Sequence, residues 1–126
     1  MAIVLYGIKN CDTVKKARQW LTEHHIDYRF HDFRSDGLDA ELLSTWLNQV
    51  GLDVLLNRNS TSFKQLSDDD KQNITEAKAS ALMLATPTLI KRPVLDLHGR
   101  IIVGFNAKQD GYHNAFSLSE QNTNNA

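Results

Sequence analysis

Residues 2–33 read AIVLYGIKNCDTVKKARQWLTEHHIDYRFHDF, and a change of period inside this stretch decides the fold. Ala2 to Tyr6 is a short apolar, β-branched run that ends at Gly7. It suits a strand buried on both faces. From Asp12 the period becomes helical: Val14, Ala17 and Leu21 share one face with Trp20 beside it, and Lys15, Lys16, Arg18, Gln19 and Glu23 lie elsewhere. The spacing predicts an amphipathic helix to about His24. Tyr28 to Phe33 alternates and predicts a second strand. A strand, a helix and a strand in so short a span form a βαβ unit, so the two strands should be parallel.

The pattern beyond it is helical, then extended again. Leu42, Leu43, Trp46, Leu47 and Val50 have helical spacing, and Gly51 is a C-terminal stop. Leu52 to Leu56 is a short apolar continuation. Asn57 to Ser62 reads as a loop by composition. Ser67 precedes Asp68, Asp69 and Asp70, a good N-cap with acids in the first turn. A helix from about Thr75 to Leu84 must end before Pro87. Val94–Leu97 and Arg100–Phe105 are strand candidates joined by His98-Gly99, a hairpin signal that makes them antiparallel. Asn106 can cap a last helix ending near Phe116, and residues 117–126 read as a disordered tail.

The order β-α-β, helical block, β-β-α predicts an α/β fold. It is a thioredoxin-like mixed four-stranded sheet with an inserted helical subdomain at about 38–86, in one domain spanning 1–116. The 126 residues suit a single domain. Fourteen Lys and Arg against fifteen Asp and Glu give no field that favours nucleic acid or an anionic membrane. The apolar N-terminus lacks a basic flank and is too short for a signal or spanning segment, so a cytoplasmic, monomeric protein is expected.

The chain has one cysteine, Cys11, which excludes an internal disulfide and a Cys-x-x-Cys centre, because Asp12, Thr13 and Val14 follow it. Cys11 falls at the turn from first strand to first helix. Sites gather at that edge of an α/β sheet, and the helix start presents unpaired N–H groups that stabilise a thiolate. Lys9, Asn10 and Asp12 around it are polar. From position alone Cys11 is either a nucleophile or a small buried residue. Arg92-Pro93 opens the third strand, where proline removes no central hydrogen bond. Arg92 either sits on the surface or faces the first helix and pairs with the thiolate or an anionic substrate. Arg58, in the polar loop, is a solvated charge or a substrate ligand; Lys91 and Arg100 read as solvated. The five histidines have no ligand spacing and no metal site is expected.

Together YGIKNCDTVKKARQWL (6–21), LLNRNSTSFKQL (55–66) and ATPTLIKRPVL…GRIIVGF (85–95 and 99–105) resemble the arsenate reductase/Spx (ArsC-like) family, most closely its small YffB-like branch. The resemblance spans roughly residues 2–116. It implies a catalytic Cys11, an oxyanion- or substrate-binding Arg92, a cis Pro93 facing the thiol, and a similar role for Arg58. Two groups of the arsenate reductases are missing: their histidine four residues before the cysteine falls at Gly7, and a third arginine falls at Gly104. The second cysteine of Spx proteins falls at Val14. The resemblance therefore implies a monothiol, glutathione-dependent oxidoreductase that relies on an external resolving thiol. Glutathione's carboxylates would pair with Lys9, Arg58 or Arg92, with Asn10 and Pro93 beside them. Glutathione/glutaredoxin-linked arsenate reduction and a non-catalytic Spx-like module binding a protein such as RNA polymerase are the alternatives.

Overall fold

In a computed structural model, residues 3–105 together with Tyr112 and Phe116 are described. Strand β1 is Val4–Gly7, helix α1 Asp12–Glu23 and strand β2 Arg29–Asp32. The helical block holds α2 (Ala40–Val50), α3 (Leu52–Leu55), α4 (Thr61–Lys64), α5 (Asp68–Lys71) and α6 (Glu76–Ala85). A 3₁₀ turn at Pro87–Leu89 leads to β3 (Val94–Leu97) and β4 (Arg100–Val103). The four strands form one sheet in the order β2-β1-β3-β4. β1 and β2 are parallel, and the β1–β3 and β3–β4 pairs are antiparallel. This is the mixed sheet expected from the sequence.

The period-2 geometry of β1 splits its side chains between two cores. Leu5 joins Leu95, Ala17 and Leu21 on the α1 face, with Tyr112 over them. Val4 and Tyr6 point the other way, into a larger core with Val94, Leu43, Trp46, Ala79 and Met83 from β3, α2 and α6. Both faces of the sheet are therefore covered, which is why β1 is buried along its whole length. Each fully buried Leu or Val here contributes about 1.5–3 kcal/mol. A polar clamp fastens the hairpin to α2: the Gln49 side chain donates to the Gly99 carbonyl at 2.6 Å and accepts the Ile101 amide at 3.2 Å.

The hairpin turn has His98 at φ 53 and Gly99 at φ 95. Positive φ at both central residues is the twist-matched two-residue connection. Gly51, at φ 83, separates α2 from a distinct one-turn α3 rather than a simple continuation. The Asn57–Ser62 stretch departs from its reading as a loop: Ser60 caps α4 by accepting the Phe63 amide, and the loop shrinks to the turn before it. β4 ends at Val103, two residues short of the expected Phe105. The last helix lies largely outside the described residues. Tyr112 and Phe116 within it are helical and pack on the α1 side of the sheet. The expected tail lies wholly outside them.

Candidate active site

Cys11 occupies the N-cap of α1 with extended backbone, φ −91 and ψ 125. Its amide closes a turn on the Ile8 carbonyl at 3.2 Å, and its own carbonyl accepts the Lys15 amide at 3.0 Å to start the helix. No side chain caps this helix start. The contrast within the molecule is clear. α2, α4, α5 and α6 begin at Asp39, Ser60, Ser67 and Thr75, each accepting a first-turn amide. An oxygen cap is worth about 1 kcal/mol. α1 forgoes that bond and puts a partly exposed thiol in its place. Local rules are broken most often where function requires it.

The sheet register decides what lies beside this turn. Gly7 pairs with Asp32 of β2 and Tyr6 with Val94 of β3. Gly7 ends β1 directly after Tyr6, and Arg92-Pro93 directly precedes Val94, the partner of Tyr6. The Gly104 amide in turn donates to the Pro93 carbonyl at 2.8 Å. Two contacts thus mark this edge of the sheet: Gly7 with Asp32, where β1 leads into the Cys11 turn, and Gly104 with Pro93, just before β3. The Arg92–Pro93 peptide bond is cis.

Arg92 is not the surface arginine that its local sequence allowed. It is half-buried, and its Nε and Nη1 are sealed from solvent without a hydrogen-bond partner among the described residues. Unpaired buried donors are costly, and in a native fold they call for an explanation. A bound anion would supply the missing acceptors, and the planar guanidinium fork fits carboxylates and oxyanions.

The remaining expected site residues lie at the surface. Lys9 and Asn10 are exposed at the tip of the Cys11 turn. Arg58 is exposed, pairs with Asp53 at 3.4 Å and lies 6.0 Å above the Phe63 ring. Its segment is tied to the chain before Arg92: Asn57 donates to Leu89, Lys91 donates to Leu55, and Leu56 bridges Ile90 in antiparallel sense.

Sequence reasoning missed Asp32, the buried charged residue among those described. Its two carboxylate oxygens accept the Lys9 amide at 3.2 Å and the Arg34 amide at 2.8 Å. The carboxylate thereby pins the Cys11 turn to the end of β2. The available signal was an acid in an apolar, alternating strand that ends where the site gathers. Asp32→Ala leaves both amides without their acceptor. It should destabilise the protein by about 2 kcal/mol, since bonds to charged groups contribute roughly 1.5–3 kcal/mol. It should also slow Cys11 alkylation by iodoacetamide, measured on the folded protein. Unchanged stability and unchanged reactivity would show that Asp32 does not hold the turn.

The geometry defines a thioredoxin-like fold with one cysteine at the start of its first helix and a cis Arg92–Pro93 bond before β3. The ArsC family model matches residues 6–111, and the chain belongs to that family. A relative in Haemophilus influenzae, itself uncharacterised, is 44% identical over 115 residues, covering 91% of this chain and 99% of its own. The solved structure of the YffB (PA3664) protein is 52% identical with a TM-score of 0.81, over 83% of this chain and 92% of that one. An arsenate reductase (ArsC) related protein from Brucella melitensis is 50% identical with a TM-score of 0.75, over 90% of this chain and 95% of that one. Among the described residues, no helix is long and apolar enough to cross a membrane.

Proposed function

We propose that this protein is a monothiol reductase that takes glutathione as its external resolving thiol. The observation that carries this reading is Arg92, with two buried donors that have no acceptor among the described residues, directly before the strand that pairs with β1, while β1 leads into the Cys11 turn. Cys11 is the one cysteine of the chain, so a second thiol must come from outside. The Cys11 thiolate attacks the glutathione sulfur of a mixed disulfide, forming a Cys11–glutathione disulfide and expelling the substrate thiolate, which takes a proton from water. A glutathione thiolate then attacks the glutathione sulfur of that adduct, forming oxidised glutathione and releasing the Cys11 thiolate. The substrate sulfur is reduced to a thiol and one glutathione thiol is oxidised, joining the glutathione of the mixed disulfide in oxidised glutathione.

Resemblance to an arsenate reductase-related protein keeps arsenate in view. The sequence lacks the histidine and third arginine of the arsenate reductases, and an oxyanion needs several donors. Intact-mass spectrometry separates the readings. After exposure to oxidised glutathione, Cys11 should carry one glutathione, removed by added reduced glutathione. Arsenate plus reduced glutathione should give no turnover. Cys11→Ser should abolish the adduct and leave the fold intact, with up to about 1 kcal/mol gained because serine caps α1. The absence of an adduct on the wild-type protein would sink the glutathione reading.

A further inference from the structure

Lys91 precedes Arg92, and nothing in its local sequence marks it as more than a solvated charge. Its backbone is fixed, because its amide donates to the Leu55 carbonyl at 2.8 Å. Its side chain is laid across the sheet edge. The Lys91 Cε lies 3.2 Å, and Nζ 3.9 Å, from the point where a Cβ on Gly104 would stand. Gly104 has φ 83, a conformation that disfavours any side chain, so the hollow over it is open for the lysine stem. Gly104 is held to Pro93 by its amide. The ammonium group therefore lies over Gly104, which is bonded to Pro93, the residue after Arg92. Among the described residues, the one ion pair is Arg58–Asp53, and Lys91 is exposed.

We propose that Lys91 is a substrate-anchoring residue that binds a carboxylate of the glutathione moiety while Arg92 receives a second acceptor; this rests on the glutathione reading of the site. The chemistry suits the placement. A lysine ammonium is a compact point charge with three donors, able to follow a flexible carboxylate, whereas the Arg92 fork is fixed. Glutathione carries two carboxylates and its thiol in one flexible chain. Two cations on one sheet edge would orient that thiol toward Cys11 without touching the reacting sulfurs.

The test compares two disulfides on the full chain, following Cys11 adduct formation by quenched-flow mass spectrometry. Oxidised glutathione carries carboxylates; bis(2-hydroxyethyl) disulfide carries none. Lys91→Met should slow reaction with oxidised glutathione about two- to fivefold, the scale of an exposed ion pair. It should leave the neutral disulfide unchanged. Lys91→Arg should restore most of the rate, and added salt should narrow the gap between wild type and Lys91→Met. Equal rates for wild type and variant with oxidised glutathione overturn the assignment and leave the glutathione reading standing. Equal loss with both disulfides also overturns it, because the defect is then structural. A wild-type protein that forms no glutathione adduct removes both readings together.

Discussion

Arg92→Met is expected to raise the stability of the protein while removing most of its reaction with glutathione disulfide. The two effects have one cause. Nε and Nη1 of Arg92 are buried without partners among the described residues, so the folded protein bears the desolvation of a guanidinium that the unfolded chain leaves in water. A buried unsatisfied donor costs about 1–3 kcal/mol. A well-packed apolar residue of similar length escapes that cost, as replacements of buried charges by hydrophobic residues show. The gain should be about 1–2 kcal/mol, or roughly 3–8 °C in Tm, for a domain of this size. The same donors are those a bound carboxylate or oxyanion would use. Losing a buried charged contact costs about 2–5 kcal/mol on the partner's side, so the second-order rate of Cys11 glutathionylation should fall at least about 30-fold. Arg92→Lys keeps the charge but not the fork and should lie between. Calorimetry and adduct kinetics on the same samples check both halves. A variant that is less stable than wild type and reacts at its rate would mean that Arg92 serves the fold alone.

That trade-off explains why part of the site could be read from the sequence and part could not. Cys11 was legible because it stands where the period changes, between an apolar strand and an amphipathic helix, and such a junction is a local signal. The hairpin was legible for the same reason: His98-Gly99 lies between two apolar runs, and both residues take positive φ. The burial of Arg92 is a property of the sheet edge. It arises where the chain enters β3, next to β1 and just after the segment bonded to Leu55–Asn57, a tertiary setting that no nearby spacing announces. Asp32 was hidden because its role is to accept amides from Lys9 and Arg34, and its sequence context is an ordinary alternating strand. α4 was read as loop because Asn57-Arg-Asn-Ser-Thr-Ser is polar throughout. Its single turn is supported by the Ser60 cap and by Phe63 and Leu66 packing on the larger core, and such support is tertiary. Lys91 looked solvated because a long side chain's path is set by what it meets, here the bare backbone of Gly104.

The second large effect concerns Gly7 and Val14, four residues before and three after Cys11. A Cβ on Gly7 would stand 2.7 Å from Val14 Cγ2 and 3.2 Å from Cγ1. Gly7 has no left-handed backbone to protect, so its requirement is space alone. Val14 is fully buried, and a β-branched side chain in a helix has essentially one rotamer, so it cannot swing aside. Gly7→Ala must instead push the start of α1 away from β1, and Cys11 moves with it. Overpacking of this kind costs about 1–3 kcal/mol, and Gly7→His, with a whole ring to place, should cost more. Val14→Ala alone opens a cavity and should cost roughly 2 kcal/mol by the usual core truncations. The double variant puts the new methyl where the old ones were. Its cost should be less than the sum of the single ones by at least about 1 kcal/mol, read from urea denaturation in a double-mutant cycle. Cys11 reactivity, lowered in Gly7→Ala, should recover in the double variant as the helix start returns. Strict additivity would show that the two side chains do not compete for one space. Coupling would show instead that two features separating this chain from the arsenate reductases and Spx proteins it resembles are a single contact. The absent histidine at position 7 and the absent second cysteine at position 14 would then share one cause, the closeness with which the first strand and first helix meet beneath the reactive thiol.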